Sequence, residues 1–370
     1  GLRSFSIFAL GVSPYITASI ITQLLQMDII PYFKDLKDQG YTGRQKINKI
    51  NRYMGIIIGF FQAYVLCIAY MGSASVFVQL KTALVMTAGT AFCLWMGDQI
   101  TNKGIGNGVS MIIFIGIVSR LPSAVSSIWS LIMTESGFST TGLLISLGII
   151  IGAIVLVAGV VFVQEAERRV PVQYAKKVVG RKMYGGQNTH IPLKLAMAGV
   201  MPVIFASSFM TFPAMIIQIF DPSIATHTGF WNVIYNFSLA TSSSNVALGY
   251  TIANAIVYLL LIVGFTFFYI YATFNPAEVS ANIKKNGGFI PGIRAGKPTT
   301  EYLSSVLTKL TLFGGLFLAL IAILPMFMRF TNLNVAFGGT SILIIVGVAL
   351  ETVQQLESQL VMRHYKGFLE

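Results

Sequence analysis

Apolar runs of roughly 20 residues recur along the whole chain, and no other feature narrows its fold as much. A run of that length crosses a bilayer core as an α-helix, whereas a transmembrane β-barrel reads as short alternating segments. Nine candidate spans emerge, at about 12–33, 52–71, 82–99, 107–121, 141–163, 195–217, 247–274, 308–327 and 338–358. The segment at 107–121 is short and is expected to be a tilted or partial helix covered by its neighbours. Composition agrees with lipid as the main solvent. Of 370 residues, 55% are hydrophobic and 10% charged, where soluble domains carry about a quarter charged. Mean hydropathy is +0.74. The expected class is an all-α polytopic membrane protein.

The net charge of +12 is placed unevenly. The loops at 34–52, 98–106, 164–194, 275–309 and 351–370 hold 6, 1, 7, 5 and 2 Lys or Arg, which is 21 of the 25. All five share one side if the nine spans alternate. The positive-inside rule makes that side cytoplasmic. The N-terminus is then outside and the C-terminus inside. The two long loops, 164–194 and 275–309, mix basic residues with Gly, Pro and aromatics. They read as solvated topogenic loops or as a docking surface for an acidic partner.

The first span is unusual. Ser13-Pro14 is a good helix start, with a hydroxyl to accept orphan N–H groups and a proline suited to the first turn. Before it, SFSIFALG is apolar enough for membrane depth but is separated by Gly11. A broken helix at that depth is tolerated where it faces protein or a water-filled cavity, so it points to a pathway. The chemistry of a catalyst is not legible. His190, His227 and His364 are scattered and lack metal-ligand spacing. Cys67 and Cys93 sit inside apolar runs and read as buried packing. GKP at 296–298 lacks the first Gly and the Ser/Thr of a phosphate loop. Neither metal nor cofactor is expected, nor enzyme activity. Asp28, Asp98, Glu165 and Glu351 lie toward the cytoplasmic ends of spans, which disfavours an ion-coupled carrier.

Five segments together resemble the bacterial SecY family of protein-conducting channel subunits. They are SIFALGVSPYITASIITQLL (6–25), WMGDQITNKGIGNGVSMIIFIGIVSRLP (95–122), THIPLKLAMAGVMPVIFASS (189–208), FNPAEVSANIKKNGGFIPGIRAGKP (274–298) and FGGTSILIIVGVALETVQQLESQLVMRHYKGF (337–368). The resemblance implies a clamshell of two inverted helical halves around an hourglass pore. The family has ten spans and nine are seen here; its first span and the start of its plug are not in this sequence. Residues 1–11 would be a partial plug, 12–163 the N-terminal half, 164–194 a basic loop, 195–358 the C-terminal half with its own basic loop at 275–309, and 359–370 a tail. One departure is GIRAG, where the family pattern leads us to expect GIRPG: the turn keeps Arg294 but loses a proline that fixes φ.

Carried over residue by residue, the resemblance implies a waist of Val12, Ile16, Ile113, Ile204 and Ile344. An apolar constriction resists wetting and gives a sliding chain no strong polar site. Ser4, Phe5, Ser6, Ile7, Phe8, Ala9 and Leu10 would belong to the plug. Gln23, Gln62, Ser208 and Phe212 would face a lateral gate, with polar side chains bonding weakly across helices. Arg168, Arg169, Lys176, Lys177, Lys284, Lys285 and Arg294 would meet the motor ATPase SecA and the ribosome. SecE and a SecG-like subunit are the implied small membrane partners, with signal-sequence-bearing polypeptides and membrane lipid as the other contacts. The implied function is a passive, gated channel of the bacterial cytoplasmic membrane. An accessory paralogue with restricted cargo, or a small-solute carrier, remains the alternative.

Overall fold

Helix is the expected answer to long apolar runs, because in lipid every backbone N–H and C=O needs a partner within its own segment. The computed structural model describes residues 6–26, 31–71, 75–134, 137–174, 177–179, 182–184, 188–220, 229–239, 248–328 and 339–366. Ser4, Phe5, Asp28, Lys176 and His227 therefore lie outside the described residues. The chain runs through α1 (Ser13–Leu25), α2 (Pro31–Asp38), α3 (Tyr41–Tyr70), α4 (Val76–Lys103), α5 (Gly108–Val118) and α6 (Leu121–Ile132). A two-stranded ribbon, β1 (Met133–Thr134) with β2 (Gly137–Phe138), leads into α7 (Thr140–Glu165). Strands β3 (Glu167–Tyr174), β4 (Lys177–Val179), β5 (Lys182–Tyr184) and β6 (Asn188–Lys194) follow. The second part continues with α8 (Met201–Phe220), α9 (Phe230–Leu239), α10 (Leu248–Thr273), α11 (Pro276–Lys285), β7 (Gly288–Phe289), α12 (Lys297–Met328) and α13 (Gly339–Lys366).

Among the described residues, seven helices are long and apolar enough to cross a membrane. The remaining two of the nine expected spans correspond to α1 and α8, the latter 20 residues long. Helix α8 is apolar over Met201–Ala214. Helix α1 has 13 residues, about 20 Å at 1.5 Å per residue and short of a core of about 30 Å. Ser13 does not cap α1 as expected: Val12 is the N-cap and no side chain bonds there, while Pro14 sits in the first turn. The segment at 107–121 holds the 11-residue helix α5 (Gly108–Val118). It continues past a break at Ser119–Arg120, where Pro122 restarts α6, to give an apolar stretch of 23 residues, Gly108–Ser130. Outward faces are apolar, as on α7, where Leu144, Ile154 and Phe162 are exposed. In a membrane protein such a surface meets lipid.

The loops at 164–194 and 275–309 are not loops throughout. The first folds into the antiparallel pair β3–β6, with Val170 opposite Ile191, and β3 also pairs with β7 from the second. The long-range pairing gives a three-stranded sheet in the order β6-β3-β7. In the second, Asn275 accepts hydrogen bonds from the N–H groups of Ala277 and Glu278 and so starts α11. Lys284 and Lys285 close the last turn, where cations complement the helix dipole.

Core packing divides along the chain. One set of clusters joins α1, α3, α4 and α5 through Ala63, Cys67, Ala83, Met86, Val12 and Cys93. A larger one joins α7, α8, α10, α12 and α13 around Tyr258, Ile262 and Leu343. Within the first, the GIGNG run turns α4 into α5 at very close quarters. The Gly108 N–H donates to Thr101 Oγ1 at 2.8 Å, and Asn107 caps α5 by accepting from Val109 and Ser110. A Cβ placed on Gly108 would lie 1.9 Å from the Gly97 carbonyl oxygen. Gly108→Ala should therefore force α4 and α5 apart and destabilise the bundle by about 1–3 kcal/mol, the usual cost of overpacking. The thermal midpoint in detergent reads this; an unchanged midpoint would mean the turn relaxes freely.

Candidate functional site

Two cavities follow one another along the inside of the bundle. The first, of about 420 Å3, is lined by polar side chains including Asn107, Ser110, Gln164, Lys194, Glu351 and Gln354. The second, of about 310 Å3, is lined mostly by apolar ones. Along α8 the first uses residues up to Ile204 and the second Val203, Ile204 and Ser207. Along α13 the second uses Thr340 and Ile344 and the first runs from Ile344 to Gln354. The two thus occupy successive turns and share Ile113, Ile204 and Ile344. All five residues singled out for a waist, Val12, Ile16, Ile113, Ile204 and Ile344, line the second cavity. They come from α5, α8, α13 and the start of α1, elements far apart in sequence.

The polar mouth was not singled out in the sequence. Asn107, Gln164 and Lys194 sit at element ends, where polar side chains are ordinary, while Glu351 and Gln354 lie in the middle of α13. A weak signal existed in Glu351 and Gln354, one turn apart on α13. Lys194, the last residue of β6, donates from Nζ to Gln354 Oε1 at 3.0 Å. Leu195 N–H donates to the Ala166 carbonyl at 2.8 Å and closes the base of the hairpin. The hairpin and α13 are thereby joined at the rim.

The basic residues are brought together on one folded platform. Val170, Val172, Leu193, Ile283, Ile290, Leu303 and Val306 form its own buried cluster, drawn from both long loops. Arg168, Arg169, Lys284, Lys285 and Arg294 stand exposed around it. Arg169 donates from Nε to Glu167 Oε1 at 2.6 Å, an exposed pair, while Lys177 lies on β4, which pairs with β5 in a separate two-stranded sheet. The turn that carries Arg294 is held without the expected proline. Ile293 N–H donates to the Ile290 carbonyl, Thr299 Oγ1 to the Arg294 carbonyl and Ser280 Oγ to the Gly296 carbonyl, all at 2.9–3.0 Å.

The four seam residues lie on three helices that touch: α1 and α3 each meet α8. Gln23 and Ser208 are half-buried and Phe212 is exposed. Gln23 donates to Ser19 Oγ at 3.3 Å, so this polar contact runs along its own helix rather than across the seam. Gln62 is half-buried on α3. Of the segment before α1, the described part is Ser6–Val12, folded in successive turns with Ala9 and Val12 buried.

A helical membrane bundle with two cavities meeting at an apolar neck defines a channel-like class of protein. The family model for SecY matches residues 6–353. The chain is 44% identical to the protein translocase subunit SecY of Halalkalibacterium halodurans, over all of this chain and 85% of that one. It is 43% identical to the same subunit of Bacillus subtilis, again over 100% and 85% of the two chains. A solved structure described as that of a protein conducting channel superposes with a TM-score of 0.63 at 22% identity, covering 96% of this chain and 82% of that one. The Sec61 channel in a canine ribosome-channel complex gives 0.59 at 20% identity, over 96% and 82%. The chain belongs to the SecY family.

Proposed function

We propose that this chain forms a passive, gated conduit that passes unfolded polypeptides across the bacterial cytoplasmic membrane and releases apolar segments sideways into lipid. One observation carries the reading: a polar cavity and an apolar cavity meet at Ile113, Ile204 and Ile344. Val12 and Ile16 complete the ring on the apolar side. A sliding chain meets no fixed partner at such a neck, and water is disfavoured there. The polar mouth opens beside the basic platform, so that side is taken as cytoplasmic, in line with the positive-inside rule. The chain's N-terminus is then outside and its C-terminus inside. The halves 12–163 and 195–358 would part as a clamshell, with residues 1–11 as part of the plug.

Family relations supply the partners. A SecE-like and a SecG-like subunit are the small membrane companions, and the platform meets SecA or the ribosome through Arg168, Arg169, Lys284, Lys285 and Arg294. Ribosome-bound relatives of the same fold support the last of these. No energy source is read in the chain, so driven export borrows the motor's ATP hydrolysis.

Ile344→Asn should wet the neck, raise ion leak in proteoliposomes and admit cargo with a defective signal sequence. A stably folded mutant with both readouts at wild-type level would remove Ile344 from the ring. Arg294→Glu should weaken association with an acidic motor surface by about ten-fold or more, the scale of losing an interfacial charge pair. The loss should shrink toward 1 M salt, where screening shortens to about 3 Å. Normal membrane levels are expected; a rapidly degraded mutant would make the residue structural. Lateral release is tested by cysteines near Gln23 and near Ser208 or Phe212, in a background without Cys67 and Cys93. Disulfides need Cα atoms within about 7 Å. A short crosslink should block secretion and a long flexible one permit it. Normal secretion through a short-locked seam would place the gate elsewhere.

A further inference from the structure

We infer that Gly89 on α4 is the notch that holds the plug shut, a positioning residue for gating; this rests on the reading of residues 6–11 as a plug. Three consecutive plug residues engage α4. A Cβ placed on Gly89 would lie 2.3 Å from the Ile7 carbonyl oxygen and 2.9 Å from Ile7 Cγ2. Such spacing leaves no room for any side chain, and the nearest atom is backbone, which cannot swing aside as a flexible side chain would. The next residue, Phe8, places its ring 6.2 Å from that of Phe92 at a tilt of 46°. The third, Ala9, is buried in a cluster with Ala83 and Met86 of α4 and Ala63 and Cys67 of α3. Positions 83, 86, 89 and 92 are each three residues from the next, so successive members are neighbours along a row that winds around α4. The plug is thus read by a winding row in which Gly89, between Met86 and Phe92, has no side chain.

Glycine inside a helix is ordinarily a cost, so Gly89 has no helical reason to be there. Ile7 and Phe8 keep about half of their surface exposed, at 52% and 50%. The segment is therefore seated on its backbone and on Ala9 rather than engulfed. A seat of that kind releases when the backbone lifts, which suits a part that must leave on opening.

The test uses the full chain in liposomes, with a Ser6→Cys probe in a background where Cys67 and Cys93 are replaced by Ala. Gly89→Ala and Gly89→Val should raise ion leak and the labelling rate of the probe by an impermeant maleimide. The expected rise is about ten-fold for Val, on the scale of overpacking a filled contact. Thermal stability should hold or increase, because Ala and Val favour helix over Gly. Gly116→Val is the control, since a Cβ there has no atom within 4 Å, and it should change neither readout. Should Gly89→Val fail to fold, Gly89→Ala decides, because its single Cβ already meets the Ile7 carbonyl. Wild-type leak and labelling in folded Gly89→Ala would overturn the notch. Deletion of residues 6–10 separates the two readings. If the deletion leaks while Gly89→Ala does not, the notch alone fails. If the deletion itself stays tight, the plug reading fails with it.

Discussion

In hydrocarbon an unpaired backbone group costs several kcal/mol, so each departure from helix at membrane depth needs partners close by. That constraint organises this molecule. Much of its irregular backbone gathers along the two cavities. Residues 195–200 turn between β6 and α8 with Gly199 N–H donating to the Ala196 carbonyl, and this stretch lines the polar cavity. Leu10 and Val12, where the chain enters α1, line the apolar one, with Gly11 N–H donating to the Phe8 carbonyl. Asn107, in the sharp α4–α5 turn, faces the polar cavity and uses its side chain to cap α5. Irregular backbone beside a cavity can exchange partners with whatever passes. The same backbone against lipid could not.

The spans were legible because their signal is local. A run of about 20 apolar residues declares itself without reference to any other part of the chain. The neck residues carried no such signal. Ile113, Ile204 and Ile344 lie among many isoleucines, and nothing in periodicity sets them apart. They were named through the family resemblance, and their convergence on one cavity is a property of the tertiary fold alone.

The platform was illegible for a different reason. Strand β3 pairs with β6 across an intervening stretch and with β7 more than a hundred residues later. A basic, glycine-containing segment reads as loop until its partner is known, because β preference depends on what the strand packs against. Val170 and Val172 do alternate with polar or proline neighbours, but a strand that short is not distinctive. The proline missing from GIRAG misled in the same way. Its turn is fixed by Ser280 and Thr299, whose hydroxyls reach carbonyls that the sequence gives no means of pairing.

The platform and the neck are joined by structure as well as by proximity. Strand β6 ends on Lys194, which bonds Gln354, and ten residues earlier on the same helix lies Ile344. That is about 15 Å of unbroken helix. A helix of this length carries displacement from one end to the other because its hydrogen bonds resist bending within a few turns. The hairpin also leads through the 195–200 turn directly into α8, which bears Ile204. Two of the three residues shared by the cavities are therefore attached to the platform, one through a covalent turn and one through a side-chain bond. Ile113 on α5 is held from both sides: its turn is fixed to α4 through Gly97 and Thr101, within the first set of clusters, and Thr352 of α13 donates from Oγ1 to Met111 Sδ at 3.7 Å. The neck thus has one wall anchored among α1, α3 and α4 and another anchored on the platform, with the Thr352–Met111 contact bridging them. A constriction built across two bodies can change width while each body keeps its own core intact.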